Sequence, residues 1–164
     1  MTKHSSISSK PEIKVRGRNR VARTLTKEEL NQIATAAHDS GKDMEMALHE
    51  LLAMGFRAPE VAGAKHGVGN TVILAAPKSF PRRGSLYPAQ SVVLRNVEFS
   101  NAIPGELLFA CRDGCTPFDI VRIARIFHHW VIRAGLTNEG ITLFSFRRSV
   151  SFHKLTNAAN SLPG

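Results

Sequence analysis

Cysteine is scarce in this chain, with two in 164 residues. A pair cannot build the disulfide framework of a small secreted domain, so a reducing compartment is the simpler setting. No apolar run approaches the roughly 20 residues that a membrane-spanning helix needs. The first residues also lack the apolar stretch of a secretory signal. The expected location is therefore cytoplasmic, nucleoid or nuclear, neither secreted nor on a membrane. Motifs for chemistry are missing as well. There is no phosphate-cradling GxxxxGKS/T loop, no cluster of metal-binding carboxylates and no adjacent nucleophile and base. "GAKHGVGN" (63–70) has glycines beside a lysine and a histidine, but not that spacing, and it follows no strand. No cofactor is expected, and a non-catalytic protein is the leading reading.

Acid is the other shortage: 13 Asp and Glu against 22 Lys and Arg, a net charge of +9. Its distribution says more than its total. Residues 1–24 carry seven bases and one acid, residues 25–66 four bases and seven acids, and residues 67–164 eleven bases and five acids. Nine of those last eleven are arginine, whose planar fork of donors suits phosphate better than the point charge of lysine. A polyanion is the expected partner class, with nucleic acid ahead of membrane.

Residues 1–24, polar, basic and serine-rich, cannot bury enough apolar surface to fold alone. They form a flexible arm whose Arg16, Arg18, Arg20 and Arg23 are candidate phosphate contacts. A single α+β domain is expected over 25–155, followed by a polar tail, 156–164. Thr26 with Glu29 three residues on is a capping box, and Leu25 can staple onto Leu30. The first helix then carries Leu30, Ile33, Ala34 and Ala37 and ends near Gly41. A second helix starts near Asp43 and stops at Gly55. "APEVA" offers a short third, with Pro59 in its first turn. The glycine between two helical runs invites a helix-turn-helix reading. The candidate reading helix is poor in groups that could bond base edges, and its surroundings are acidic. An ordinary helical subdomain is expected there, its acidic helices free to meet another protein or another copy of the chain.

From residue 70 the periodicity shortens. "TVILAA" (71–76), "SVVLRNVEF" (91–99) and "ELLFAC" (106–111) read as strands. The proline-rich loop between the first two carries Arg82 and Arg83 with Phe80 and Tyr87, a pairing of cations and rings that suits phosphate contact and base stacking. Thr116, Pro117 and Asp119 mark a helix start, with Thr116 as the cap, and Gly135 marks its end. Along that helix Arg122, Arg125, His129 and Arg133 form one cationic stripe. "ITLFSFRRSVSFHKL" (141–155) alternates and reads as a final strand, with Phe144, Phe146, Val150 and Phe152 on one face and Ser145, Arg147, Ser149 and His153 on the other. A bend at "FRRS" would bring Arg147 and Arg148 together.

Cys111, Cys115 and His128 have spacings that suggest zinc. The companion histidine, however, is adjacent at His129, and neighbours on a helix point about 100° apart. The thiols read better as small residues around a turn, with no metal.

The expected fold is thus α+β. An N-terminal helical hairpin of two or three helices precedes a mainly antiparallel sheet of four or so strands, packed by one long helix. The expected function is non-catalytic binding of RNA or DNA through the arm and an arginine-rich surface, as a regulator or a subunit of a nucleoprotein assembly. Two alternatives stand beside it: an adaptor for an acidic protein, and a small metal-independent hydrolase using His128, His129 or His153.

Overall fold

The computed structural model describes residues 23–74, 90–137 and 140–161, with side chains through Leu155 in the last segment. Helix α1 (Lys27–Asp39) begins with the expected capping box: the Glu29 N–H donates to Thr26 Oγ1 at 3.1 Å, and the Thr26 N–H donates to Glu29 Oε1 at 3.0 Å. It buries Ile33, Ala36 and Ala37. Gly41, at φ +69°, turns the chain into α2 (Asp43–Ala53). Gly55, at φ +102°, turns it again into α3 (Ala58–Ala62), which has Pro59 in its first turn.

Three short antiparallel strands follow, in the order β1 (Lys65–His66), β2 (Thr71–Leu74) and β3 (Gln90–Val93). In β2, Val72 and Leu74 point into the core and Ile73 outward, as a period of two requires. Val72 stands opposite Val92. The segment expected as a third long strand, 106–111, pairs only through the isolated bridges Lys65↔Leu107 and Ala110↔Pro117. Its hydrogen bonds change partner within two residues. The Leu108 N–H donates to the Ala64 carbonyl, while the Phe109 carbonyl accepts from Phe118 N–H. Its apolar residues are inside, with Phe109 fully buried, but the ladder does not continue.

Helix α4 (Ile120–Arg133) ends where expected, ahead of Gly135 at φ +79°. Its cap is Asp119, whose carboxylate accepts from the Arg122 N–H at 2.7 Å. Thr116 was the expected cap; instead its hydroxyl donates to Asp113, and Pro117 is spent in the bridge to Ala110. The helix lies chiefly against α1 and α3 and not as a layer over the sheet.

The largest correction concerns residues 141–155. Leu143–Ser161 is a helix, α5, in place of the expected strand. Thr142 and Ser145 cap it reciprocally: the Ser145 N–H donates to Thr142 Oγ1 at 3.2 Å, and the Thr142 N–H to Ser145 Oγ at 2.7 Å. Two of the serines that mimicked a strand's polar face, Ser145 and Ser149, are buried, while Ser151 is exposed. Ser149 Oγ donates to the Ser145 carbonyl and accepts the Leu25 N–H at 2.8 Å. Phe146 is buried, while Phe144 and Phe152 are more than half exposed. The expected grouping of these phenylalanines on one face therefore dissolves.

The core gathers where α4 and α5 meet the N-terminal helices. Phe127 and Phe146 meet edge to face at 5.3 Å. Trp130 is fully buried, and its indole N–H donates to Glu45 at 2.8 Å. His49, on α2, sits within 6.0 Å of the rings of Trp130 and Phe146. Burial, with a smaller contribution from His38, lowers its pKa from 6.5 to about 4. Two acids that the sequence offers to a protein partner are thus internal: Glu45 holds Trp130, and Glu50 accepts the N–H groups of Arg95 and Asn96 at 2.6 and 3.0 Å.

Candidate nucleic-acid interface

Among the expected contacts, Arg16, Arg18, Arg20, Arg82 and Arg83 lie outside the described residues, and so does the aromatic loop. Arg23 is ion-paired with Glu29. Arg122, Arg125, His129 and Arg133 are all exposed along α4, but they are not equivalent. The Arg122 guanidinium lies over the Phe118 ring at 4.2 Å, and Arg133 donates to the Ala36 carbonyl at 3.1 Å. Arg133 is thereby attached to the last turn of α1 and Arg122 to the loop before α4. Among the described residues none of these four side chains forms an ion pair, and the same holds for Arg147 and Arg148.

On α5 the two adjacent arginines point differently. Arg148 lies 5.6 Å from the centroid of Phe144. Arg147 reaches across to the turn between α2 and α3, where its Nε donates to the Gly55 carbonyl at 3.1 Å. That bond anchors the base of the guanidinium and leaves its terminal N–H groups directed elsewhere. Here Arg147 lines a cleft of about 140 Å³ together with Arg57, which stands just before α3. Leu52, Phe56, Ala58, Leu143, Phe144 and Phe146 complete the wall. Among the described residues no carboxylate lines it and neither arginine is ion-paired.

Arg57 was missed by sequence reasoning. It lies in the acidic part of the chain, 90 positions from Arg147, and nothing local marks it as a partner. One signal was available: it is the base in the glycine turn "MGFRAPE", which has to present a side chain between two helices.

The remaining candidates separate. Cys111 and Cys115 are free thiols in a turn whose Asp113 accepts from the N–H groups of Cys115 and Thr116. Among the described residues no three groups are placed to hold a metal. His153 is bonded to the Leu25 carbonyl at 2.8 Å, His129 is exposed, and the Nδ1 of His128 is buried without a hydrogen-bond partner among the described residues. His128 and His129 are on α4 and His153 is on α5, where it serves the entry of the chain at Leu25.

The turn between α2 and α3 and the helix α5 therefore bring two arginines, neither of them ion-paired among the described residues, onto one small concave surface. The overall fold, as distinct from this cleft, resembles that of a recombinase and an integrase of known structure. No family model matches the sequence, and no curated protein matches it. Solved structures do. A XerA recombinase superposes with a TM-score of 0.60 at 18% identity, over 85% of this chain and 51% of that one. A lambda integrase (75–356) dimer bound to a COC' core site gives 0.51 at 18% identity, over 82% of this chain and 53% of that one. At this identity the likeness is one of fold. The chain spans about half the length of the structures it matches. The α+β class expected from the sequence holds, as mixed helices with a small antiparallel sheet. Among the described residues no helix is long and apolar enough to cross a membrane.

Proposed function

We propose that this chain binds DNA without cutting or joining it by itself, and that Arg57 and Arg147 together grip a backbone phosphate. The observation that carries this reading is their convergence on one cleft that no carboxylate lines among the described residues. Two guanidinium forks can bond several oxygens of one phosphate, and each charge-assisted bond is about twice as strong as a neutral one. The walls that desolvate the site are apolar, which strengthens attraction to an anion. The fold supports DNA over RNA, since the lambda integrase structures that share it are bound to a core site, which we take to be DNA. The cleft itself is read as a grip: beyond two arginines its described lining residues are Leu, Phe and Ala, which supply neither a nucleophile nor a base at that place.

The exposed cations of α4 and the basic arm then add long-range attraction and non-specific affinity. The arm joins the described structure beside the cleft-bearing helix: the Arg23 N–H donates to the Gly140 carbonyl just ahead of α5. A role as a regulator or as one subunit of a nucleoprotein assembly follows from such a surface.

The test is anisotropy of a labelled duplex and a labelled single strand titrated with the full chain at rising salt. Binding should fall linearly on a log–log plot against salt, by about one power for each phosphate neutralised. Arg57→Ala and Arg147→Ala should each weaken binding by about tenfold or more, the worth of a hydrogen bond to a charged group. Absence of binding to both polymers at low salt, or indifference to both substitutions, ends the reading.

A further inference from the structure

We infer that the cleft selects an unpaired nucleotide, with its phosphate on Arg57 and Arg147 and its base stacked on the ring of Phe144. This deepens the DNA-binding reading above and rests on it. Phe144 lies in the first turn of α5 and lines the same cleft as both arginines, yet the residue is 56% exposed. A lone exposed apolar side chain is ordinary. A flat ring on the rim of an anion-binding hollow is a different matter, because it presents a π-face beside the place where a phosphate is held. Phe146, two positions on, is turned into the core at 2% exposure. The contrast shows that the helix had a buried position for a phenylalanine and that Phe144 does not use it.

Arg148 strengthens the arrangement. Its guanidinium stands 5.6 Å from the Phe144 centroid, close enough for a cation–π contact that steadies the ring, and its charge adds attraction for the strand. Cations tracking a backbone with an aromatic ring beside them are the elements by which proteins hold single strands. In a duplex both faces of every base are already covered by their neighbours. A ring can stack only on a base that is unpaired, at a strand end, or turned out of the helix. The apolar wall and the ring therefore favour a nucleotide over bare phosphate, and a single strand over a duplex.

The experiment uses the full chain with three labelled probes of equal length, about ten nucleotides, within the site sizes typical of single-strand binders. They are oligothymidylate, the same strand with abasic residues throughout, and a duplex. The expected result is that oligothymidylate binds at least about fivefold more tightly than the abasic strand, the lower end of what one stacked base contributes. Phe144→Ala should abolish that preference, weakening oligothymidylate binding more than binding of the abasic strand or the duplex, and Phe144→Trp should keep or raise it. Since Phe144 is exposed, both variants should fold, as unchanged melting curves would show. Equal binding of the abasic and thymidine strands, or equal loss on all three probes in Phe144→Ala, overturns the inference. The DNA-binding reading stands in either case if Arg57→Ala and Arg147→Ala still weaken binding. If no probe binds, both fall together.

Discussion

Helices α4 and α5 both carry arginines, and they use them in opposite ways. On α4 the cations lie along the solvent face while the other side buries Ile123, Phe127, Trp130 and Val131. This is ordinary amphipathic design, and its arginines act as a field or brace a neighbour, as Arg133 does on α1. On α5 the same residue type becomes a geometric element. Arg147 is anchored on the Gly55 carbonyl and lines one cleft with Arg57. An arginine on a face contributes charge in proportion to numbers; an arginine fixed by a hydrogen bond contributes a direction.

The deepest cut into this pair is Phe127→Ala, since Phe127 joins the helices through Phe146. Losing so large a buried ring should cost about 3–5 kcal/mol, read as a fall in the denaturant midpoint at constant slope. A loss under about 1 kcal/mol would show that the helices are held apart from one another.

Next comes acid. His49 lies where both helices meet α2, and its folded pKa of about 4 is below the ordinary 6.5. Below pH 6.5 the unfolded chain takes a proton that the folded chain refuses. This contribution is complete above pH 6.5 and is lost as pH falls toward 4, by on the order of 3 kcal/mol for a group so buried. Unfolding midpoints measured from pH 7 to 4 should fall, and less steeply in His49→Phe; parallel curves would remove His49 as the cause.

Smaller effects sharpen the contrast between field and fork. Arg147→Lys keeps the charge but loses the fork, and should weaken DNA binding by about tenfold while leaving the salt slope nearly unchanged. Arg125→Ala, on the solvent face of α4, should do the reverse, lowering the salt slope by about one with only a modest loss of affinity. Equal behaviour of the two would erase the distinction drawn here. The smallest change is Asp119→Ala, which removes the cap of α4 and should cost about 1 kcal/mol of stability without touching the cleft.

The sequence was most legible where local chemistry repeats a local conformation. Thr26 and Glu29 announced α1, Gly135 announced the end of α4, and the run at 71–76 announced β2, which is described over Thr71–Leu74. It misled at 141–155 because the two periods overlapped. Leu143, Phe146, Val150 and His153 fit a helix, but Ser145, Ser149 and Ser151 alternate with phenylalanines as a half-buried strand would. The Thr142 and Ser145 capping pair was the local clue that decides for helix. No local clue existed for the cleft: Arg57 sits among acids and Arg147 among phenylalanines, and each alone reads as a surface charge.

By itself the sequence determined the excess of arginine over acid, the N-terminal helices and the α+β class, because composition, caps and turn glycines act within a few residues. Only the tertiary structure decided which arginines work together. That choice depends on the burial of Ser149 beneath Leu25 and on the Gly55 carbonyl accepting from Arg147, contacts between residues 124 and 92 positions apart. Pairings at such separations are set by how whole helices pack, which no single stretch of chain encodes.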